Sequence, residues 1–140
     1  MKIVVVCGID GAPRADALQA ALGELREDCS RLDLTAVPGE TALARMAGAL
    51  REAEEALTAA PPGAVALTGD DDHSLAAALV ATKLQIPLYR QEAMDPAPSV
   101  ETTARVVTLL ADSVMSADPA EAAAAIVELT AANTPPVAPE

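Results

Sequence analysis

The chain has no Phe and no Trp, a single Tyr (Tyr89), a single His (His73), two Cys (Cys7 and Cys29), and 9 Lys plus Arg against 21 Asp plus Glu. Each scarcity removes a class of function. With a formal charge of −12 and one aromatic ring, the surface can neither neutralise phosphates nor stack bases, so nucleic acid is not an expected partner. One histidine and two cysteines are too few for the usual Cys/His zinc site, and no cofactor is expected. Two thiols in 140 residues do not make a disulfide framework and read as reduced, cytoplasmic cysteines. No apolar run approaches the ~20 residues that span a bilayer. The opening Met1 to Gly8 is too short and too β-branched for a signal peptide. A soluble, cytoplasmic domain with no membrane role is the expectation.

What the chain does have is alanine. Of 72 hydrophobic residues 33 are Ala, and 39 are larger. A core built this way makes small contacts and must pack closely. At 140 residues one domain is expected, over residues 1–132, with a proline-rich disordered tail at 133–140.

Lys2 to Cys7 is a continuous β-branched run ending at Gly8, the mark of a strand covered on both faces. Gly8, Gly11 and Pro13 then make a turn into a helix whose apolar positions are Leu18, Leu22, Leu25 and Cys29. Leu32 to Val37 reads as a short strand stopped by Pro38-Gly39. A helix over Thr41 to Ala59 follows, with Leu43, Met46, Leu50 and Leu57 on one stripe and Pro61-Pro62-Gly63 at its end. Ala64 to Leu67 is a third strand, and Thr68-Gly69-Asp70 leads to a helix over Asp72 to Leu84. Ile86 to Tyr89 reads as a fourth strand, Gln91 to Ser99 as a loop, Val100 to Leu110 as a helix and Ser113 to Met115 as a fifth strand. Asp118-Pro119-Ala120-Glu121 opens the last helix with an N-cap, a proline in the first turn and an acid at N3.

Strands alternating with helices predict an α/β, Rossmann-like three-layer domain with a mainly parallel sheet of about five strands. Ligands of such sheets collect beyond the carboxyl ends of the strands, which singles out loops 8–13, 37–40, 68–73 and 90–99. Asp70-Asp71-Asp72-His73 has the chemistry of a divalent-metal site, but capping of the following helix by Asp70 or Asp72 accounts for it more simply. Gly8 and Gly11 lack the dinucleotide fingerprint and read as a strand-to-helix turn. Cys7, at a strand end without a base nearby in sequence, reads as an inert buried thiol. The acids Glu52, Glu54 and Glu55 read as a solvated helix face. The Ala-rich helices permit close approach, so Leu43, Leu50 and Leu57 either cover the sheet or form a dimer seam.

From Ala64 to Ala93 the order Ala-Val-Ala-Leu-Thr-Gly-Asp, Ser-Leu-Ala-Ala-Ala-Leu-Val-Ala, Ile-Pro-Leu and Glu-Ala resembles the non-hydrolysing UDP-N-acetylglucosamine 2-epimerases. Lys2 to Gly8, Leu34 to Leu57 and Glu101 to Glu128 extend the likeness over most of residues 1–132. The resemblance implies a glycosyltransferase-B-like fold, of which this chain matches the first domain, and a metal-free reaction that eliminates and re-adds UDP. It places the family's acids on Asp70, Glu92 and Glu101, and substrate-binding positions on Gly8, Asp10, Arg14 and Arg90. Carboxylates suit such proton transfers when burial tunes them.

The departures are equally specific. Asp10 stands where the family has an arginine, and Ala15, with Arg14 only adjacent, where it has a lysine. Met94-Asp95-Pro96 replaces Gly-Leu-Arg, Arg90 replaces a histidine, and Asp71-Asp72-His73 replaces threonines. The family's second strand-helix unit is expected to be missing, with Cys29-Ser30-Arg31 as the joint, and its uridine-binding domain has no match in these residues. Fewer cations and more acids at one sheet edge repel an anionic ligand. The expectation is therefore a non-catalytic or auxiliary protein acting by contact with itself or with a complementary sugar-nucleotide enzyme, Asp70, Glu92 and Glu101 being relics. Two alternatives stand beside it. One is a subunit of a split epimerase that takes a UDP-sugar only with a partner chain; the other is a small ligand-binding domain.

Overall fold

The computed structural model describes residues 2–7, 12–25, 27–34, 38–69, 71–92 and 101–133, with the backbone alone for Glu101 and Asn133. Strands and helices alternate without a break: β1 Lys2–Cys7, α1 Ala12–Glu24, β2 Asp28–Asp33, α2 Ala42–Ala59, β3 Ala64–Leu67, α3 Asp72–Lys83, β4 Leu88–Gln91, α4 Glu101–Leu110, β5 Ser113–Met115 and α5 Pro119–Asn133. The five strands form one sheet in the order β2-β1-β3-β4-β5, and every pairing is parallel. This is the three-layer α/β architecture that the alternation of patterns predicts.

Side-chain alternation along β1 explains why the run is apolar throughout. Val4 and Val6 point to one face, where Val65, Leu67 and Leu88 meet Ala49, Ala53 and Leu57 of α2, the alanines of α3 and Val107 of α4. Ile3, Val5 and Cys7 point to the other, where Ala64, Ala66 and Tyr89 meet Ala15, Leu18 and Leu22 of α1 and Ala122, Ala123 and Ile126 of α5. Both faces of the strand are covered, so neither can be polar. The central helix α3 is buried through Ala76, Ala77, Ala78 and Ala81, whose short side chains bring it close to the sheet. Tyr89, the one residue of the Phe, Tyr and Trp class, is fully buried on the α1/α5 side.

Two boundaries differ from the sequence pattern. The first helix stops at Glu24, its last turn closed by Leu25 and Glu27 N–H groups donating to the Leu22 carbonyl. Leu25 is exposed and Cys29 lies in β2. The second strand is therefore Asp28–Asp33 and not Leu32 to Val37, whose residues 35–37 lie outside the described ones. Cys29-Ser30-Arg31, expected to be a joint, is the strand itself, in register with Ile3, Val4 and Val5. A strand at the sheet edge has one neighbour and partial exposure, so backbone pairing with β1 decides its place and polar residues are tolerated. The fourth strand likewise runs two residues later than Ile86 to Tyr89 and takes in Arg90 and Gln91. The helices over 72–83, 101–110 and 119–133 and the strands over 2–7, 64–67 and 113–115 fall where the pattern puts them, to within a residue or two.

Candidate functional site

In this strand order the chain turns outward to β2 on one side of β1 and to β3, β4 and β5 on the other. The crevice at the carboxyl ends of β1 and β3 is therefore the topological switch point, where ligands of open α/β sheets bind. Its floor is well fixed. Thr68, just past β3 and buried, donates its hydroxyl to the Val6 carbonyl at 2.8 Å. That bond ties the ends of the two strands together across the crevice.

Helix α3 opens on this edge, and its cap decides what the acid run does. Asp71 is the N-cap: its carboxylate accepts the Ser74 N–H at 2.9 Å. The expected cap was Asp70 or Asp72. Asp72 is instead exposed in the first turn, and Asp70 lies outside the described residues. An N-cap must sit in extended backbone one residue before the helix, and Asp71 at φ −88°, ψ −177° does. His73 is buried, with Nδ1 3.9 Å from the Asp71 carboxylate. His73 Nδ1 and Ser74 Oγ are both buried without a hydrogen-bond partner among the described residues. No group of three His, Cys, Asp or Glu side chains able to hold a metal is found among the described residues.

The cations near this edge are committed to the protein. Arg14, in the first turn of α1, reaches across to the end of β4 and donates to the carbonyls of Gln91 at 3.2 Å and Glu92 at 2.8 Å. Arg31, in β2, pairs with Asp16 of α1 and donates to Cys7 Sγ at 3.3 Å. These bonds, that to Cys7 first, hold the Arg31 guanidinium more firmly charged than usual, against its partial burial. This trio of Arg31, Asp16 and Cys7 is invisible to sequence reasoning that takes Arg31 for part of a joint.

The expected site residues separate accordingly. Arg14 and Glu92 come together, but through the backbone of Glu92, whose side chain is exposed. The Glu92 N–H donates to the Met115 carbonyl at 2.9 Å, so this residue links the ends of β4 and β5. Arg90 is buried. Because Leu88 faces the α2/α3/α4 layer and Tyr89 the α1/α5 layer, strand alternation puts Arg90 on the α3 side of the sheet, the opposite side from Arg14. Glu101 is the first residue of α4. Gly8, Asp10 and Asp70 lie outside the described residues. Gln91, unremarked in the sequence, is buried and donates its amide to the Ala117 carbonyl at 3.0 Å.

The two cysteines are free. Cys29 pairs in register with Ile3, four residues from Cys7, or roughly 13 Å along the strand. That is beyond the reach of a disulfide. Burial, and then the Asp28 charge, push the Cys29 thiol above its ordinary value of 9.0. No described helix is long and apolar enough to cross a membrane.

No protein-family model matches the chain, and no curated protein matches it by sequence. Solved structures do. The Methanocaldococcus jannaschii UDP-GlcNAc 2-epimerase, in complex with UDP-GlcNAc and UDP, superposes with a TM-score of 0.73 at 19% identity, over 83% of this chain and 40% of that one. A putative UDP-N-acetylglucosamine 2-epimerase of Listeria monocytogenes gives 0.69 at 21% identity, over 89% and 41%. The S. aureus MnaA–UDP complex gives 0.70 at 20% identity, over 89% and 40%. The chain thus has the fold of one domain of the UDP-GlcNAc 2-epimerases and spans about 40% of the length of the structures it matches.

Proposed function

We propose that this domain is an auxiliary, epimerase-like protein that works by contact with another protein, either itself or a sugar-nucleotide enzyme, and does not turn over a UDP-sugar alone. The supporting observation is the commitment of Arg14 and Arg31. A leaving diphosphate needs cations whose hydrogen bonds point at it. Here Arg14 spends donors on two strand-end carbonyls, and Arg31 is neutralised by Asp16. Freeing Arg14 would leave the partly buried Gln91 carbonyl unmet, at a cost of about 1–3 kcal/mol, while the exposed Glu92 carbonyl and Asp16 can turn to water. The helix that opens on the crevice adds Asp71 and Asp72 to the same field. Calorimetric titration of the purified chain with UDP and UDP-GlcNAc at low salt is the test. The expected result is no saturable uptake; tight, salt-sensitive uptake refutes the reading.

A second reading is a component of a split epimerase acting on a UDP-N-acetylhexosamine, and the exposed Glu92 carboxylate at the end of β4 favours it. In that case Asp70→Asn, Glu92→Gln and Glu101→Gln each abolish turnover by a reconstituted complex while the fold survives. Unchanged turnover in all three removes this reading.

A further inference from the structure

At the amino end of β4, on the far side of the sheet from the crevice, lies a cleft of about 330 Å³ where α3 and α4 both end. Ile86, Pro87 and Leu110 supply its apolar lining, and Thr82, Gln85 and Asp112 its polar one. Asp112 is pinned to the strand: its N–H donates to the Leu88 carbonyl at 2.7 Å, and its Oδ2 accepts the Leu88 N–H at 2.8 Å. An asparagine would accept the same bond, so the strand does not account for the charge. Among the described residues, Asp112 Oδ1, the Thr82 hydroxyl and the Gln85 amide have no hydrogen-bond partner.

Gln85 holds an unfavourable backbone position. Its φ is 59°, and it is the one non-glycine with positive φ among the described residues. The Ile86 N–H donates to the Ala81 carbonyl at 2.9 Å and the Gln85 N–H to the Thr82 carbonyl at 3.2 Å, which is the Schellman turn that ends many helices. The left-handed residue of that turn is usually glycine, which has no Cβ to strain it. A strained side chain at the rim of a cleft marks a functional position.

We propose that this cleft binds a primary ammonium group carried on a short apolar stem. The field selects a cation. Both helices present their negative, C-terminal ends here, and Asp112 adds a full charge. The last turn of α4 has no base, and the last turn of α3 has only Lys83, which lines a separate groove between α2 and α3. Three acceptors on three side chains suit the three N–H bonds of an ammonium. A guanidinium fork seeks both oxygens of a carboxylate, and Asp112 Oδ2 is already engaged. Ile86, Pro87 and Leu110 receive the methylenes of the stem. A free alkylamine and a lysine side chain of another protein carry this same chemistry, and the second would anchor the contact-based function proposed above.

Amide NMR of the isotope-labelled full chain at neutral pH tests this, by titration with n-butylammonium chloride and with Nα-acetyl-lysine N-methylamide. Tetramethylammonium chloride, which has the charge and no N–H, is the control. Saturable shifts in the millimolar range are expected at the amides of Gln85, Asp112 and Leu88, whose N–H donates to the other oxygen of Asp112, and none from the control. Asp112→Asn keeps that bond and is expected to weaken binding at least tenfold. Gln85→Gly is expected to weaken it severalfold while melting no lower than the wild type, because glycine relieves the left-handed backbone. Tighter uptake of the lysine derivative assigns the group to a partner protein, and tighter uptake of butylammonium assigns it to a small amine; both sustain the cleft. Absence of saturable shifts up to tens of millimolar overturns the inference, as do equal shifts from tetramethylammonium or an unchanged affinity in either variant. Cleft and crevice lie at opposite ends of the strands, so a failure here leaves the reading of the crevice standing. Uptake of UDP-GlcNAc by the chain alone defeats that reading and leaves the cleft.

Discussion

Replacing Arg14 by Met tests the central feature of the site, because it keeps the aliphatic stem and removes only the guanidinium. One Nη atom serves both the Gln91 and Glu92 carbonyls, at 3.2 and 2.8 Å. The shorter bond is on the exposed side and the longer one is partly buried, so the pair counts for little more than one good charged hydrogen bond, about 1.5–3 kcal/mol. For a domain of this size a kcal/mol moves Tm by roughly 3–5 °C. Arg14→Met is therefore expected to melt about 5–15 °C below the wild type by calorimetry. Faster amide exchange at Glu92 should accompany it, since the β4–β5 link through its N–H to Met115 rests on the same residue. Arg14→Lys, a point charge on a shorter reach, recovers only part of the loss. A Tm within about 2 °C of wild type would mean that the guanidinium is not held by the strand end. It would then be available to an anionic ligand, and the case against unaided nucleotide binding would lose its main support.

Asp71→Ala removes the cap of α3 and is expected to cost about 0.5–2 kcal/mol in urea unfolding, whereas Asp71→Asn and the exposed Asp72→Asn cost a few tenths. The Cys29 thiol holds its proton more tightly folded than unfolded. Stability from it is complete below the unfolded value and falls as pH rises through the folded one, so Cys29→Ala should flatten the loss of Tm as pH rises past the ordinary value of 9.0. Iodoacetamide should likewise label Cys29 with an inflection above that of a free thiol. Leu18, fully buried between α1 and the sheet, should cost about 2–5 kcal/mol when cut to Ala, read by chemical denaturation.

Where the chain is buried on both sides, periodicity was enough to read it. Lys2–Cys7 and Ala64–Leu67 are apolar because each packs against helices above and below, and the caps Thr41 and Asp118 sit where their spacing to the next turn requires. The errors fall on β2 and the end of β4. Asp28–Asp33 alternates only weakly and is half-exposed, so its place is fixed by hydrogen bonds to β1, a partner more than twenty residues away. Leu32 to Val37 offered a better apolar pattern, yet Leu34, fully buried, is anchored just after the strand rather than within it. Arg90 and Gln91 look unlike strand residues by composition. They are buried because β4 lies between β3 and β5, where the backbone needs two ladders.

The site was legible as an edge but not as a set of bonds. Strand ends and glycines mark where a crevice must lie, and the surplus of acids marks its sign. What sequence cannot state is which cations remain available, because that depends on contacts such as Arg14 with Gln91 and Arg31 with Asp16 that span many residues. Counting charges at this edge gives Arg14 and Arg31 the same weight as Asp71 and Asp72. The structure weights them differently: Asp71 is absorbed by the α3 cap and both arginines by protein acceptors, while Asp72 and Glu92 remain exposed. Hydrogen bonding leaves each formal charge in place; what it fixes is where the arginine donors point, and these are the same bonds that fasten α1 to β2 and to the end of β4. A ligand that needed Arg14 would have to displace its bonds to the end of β4 in order to bind.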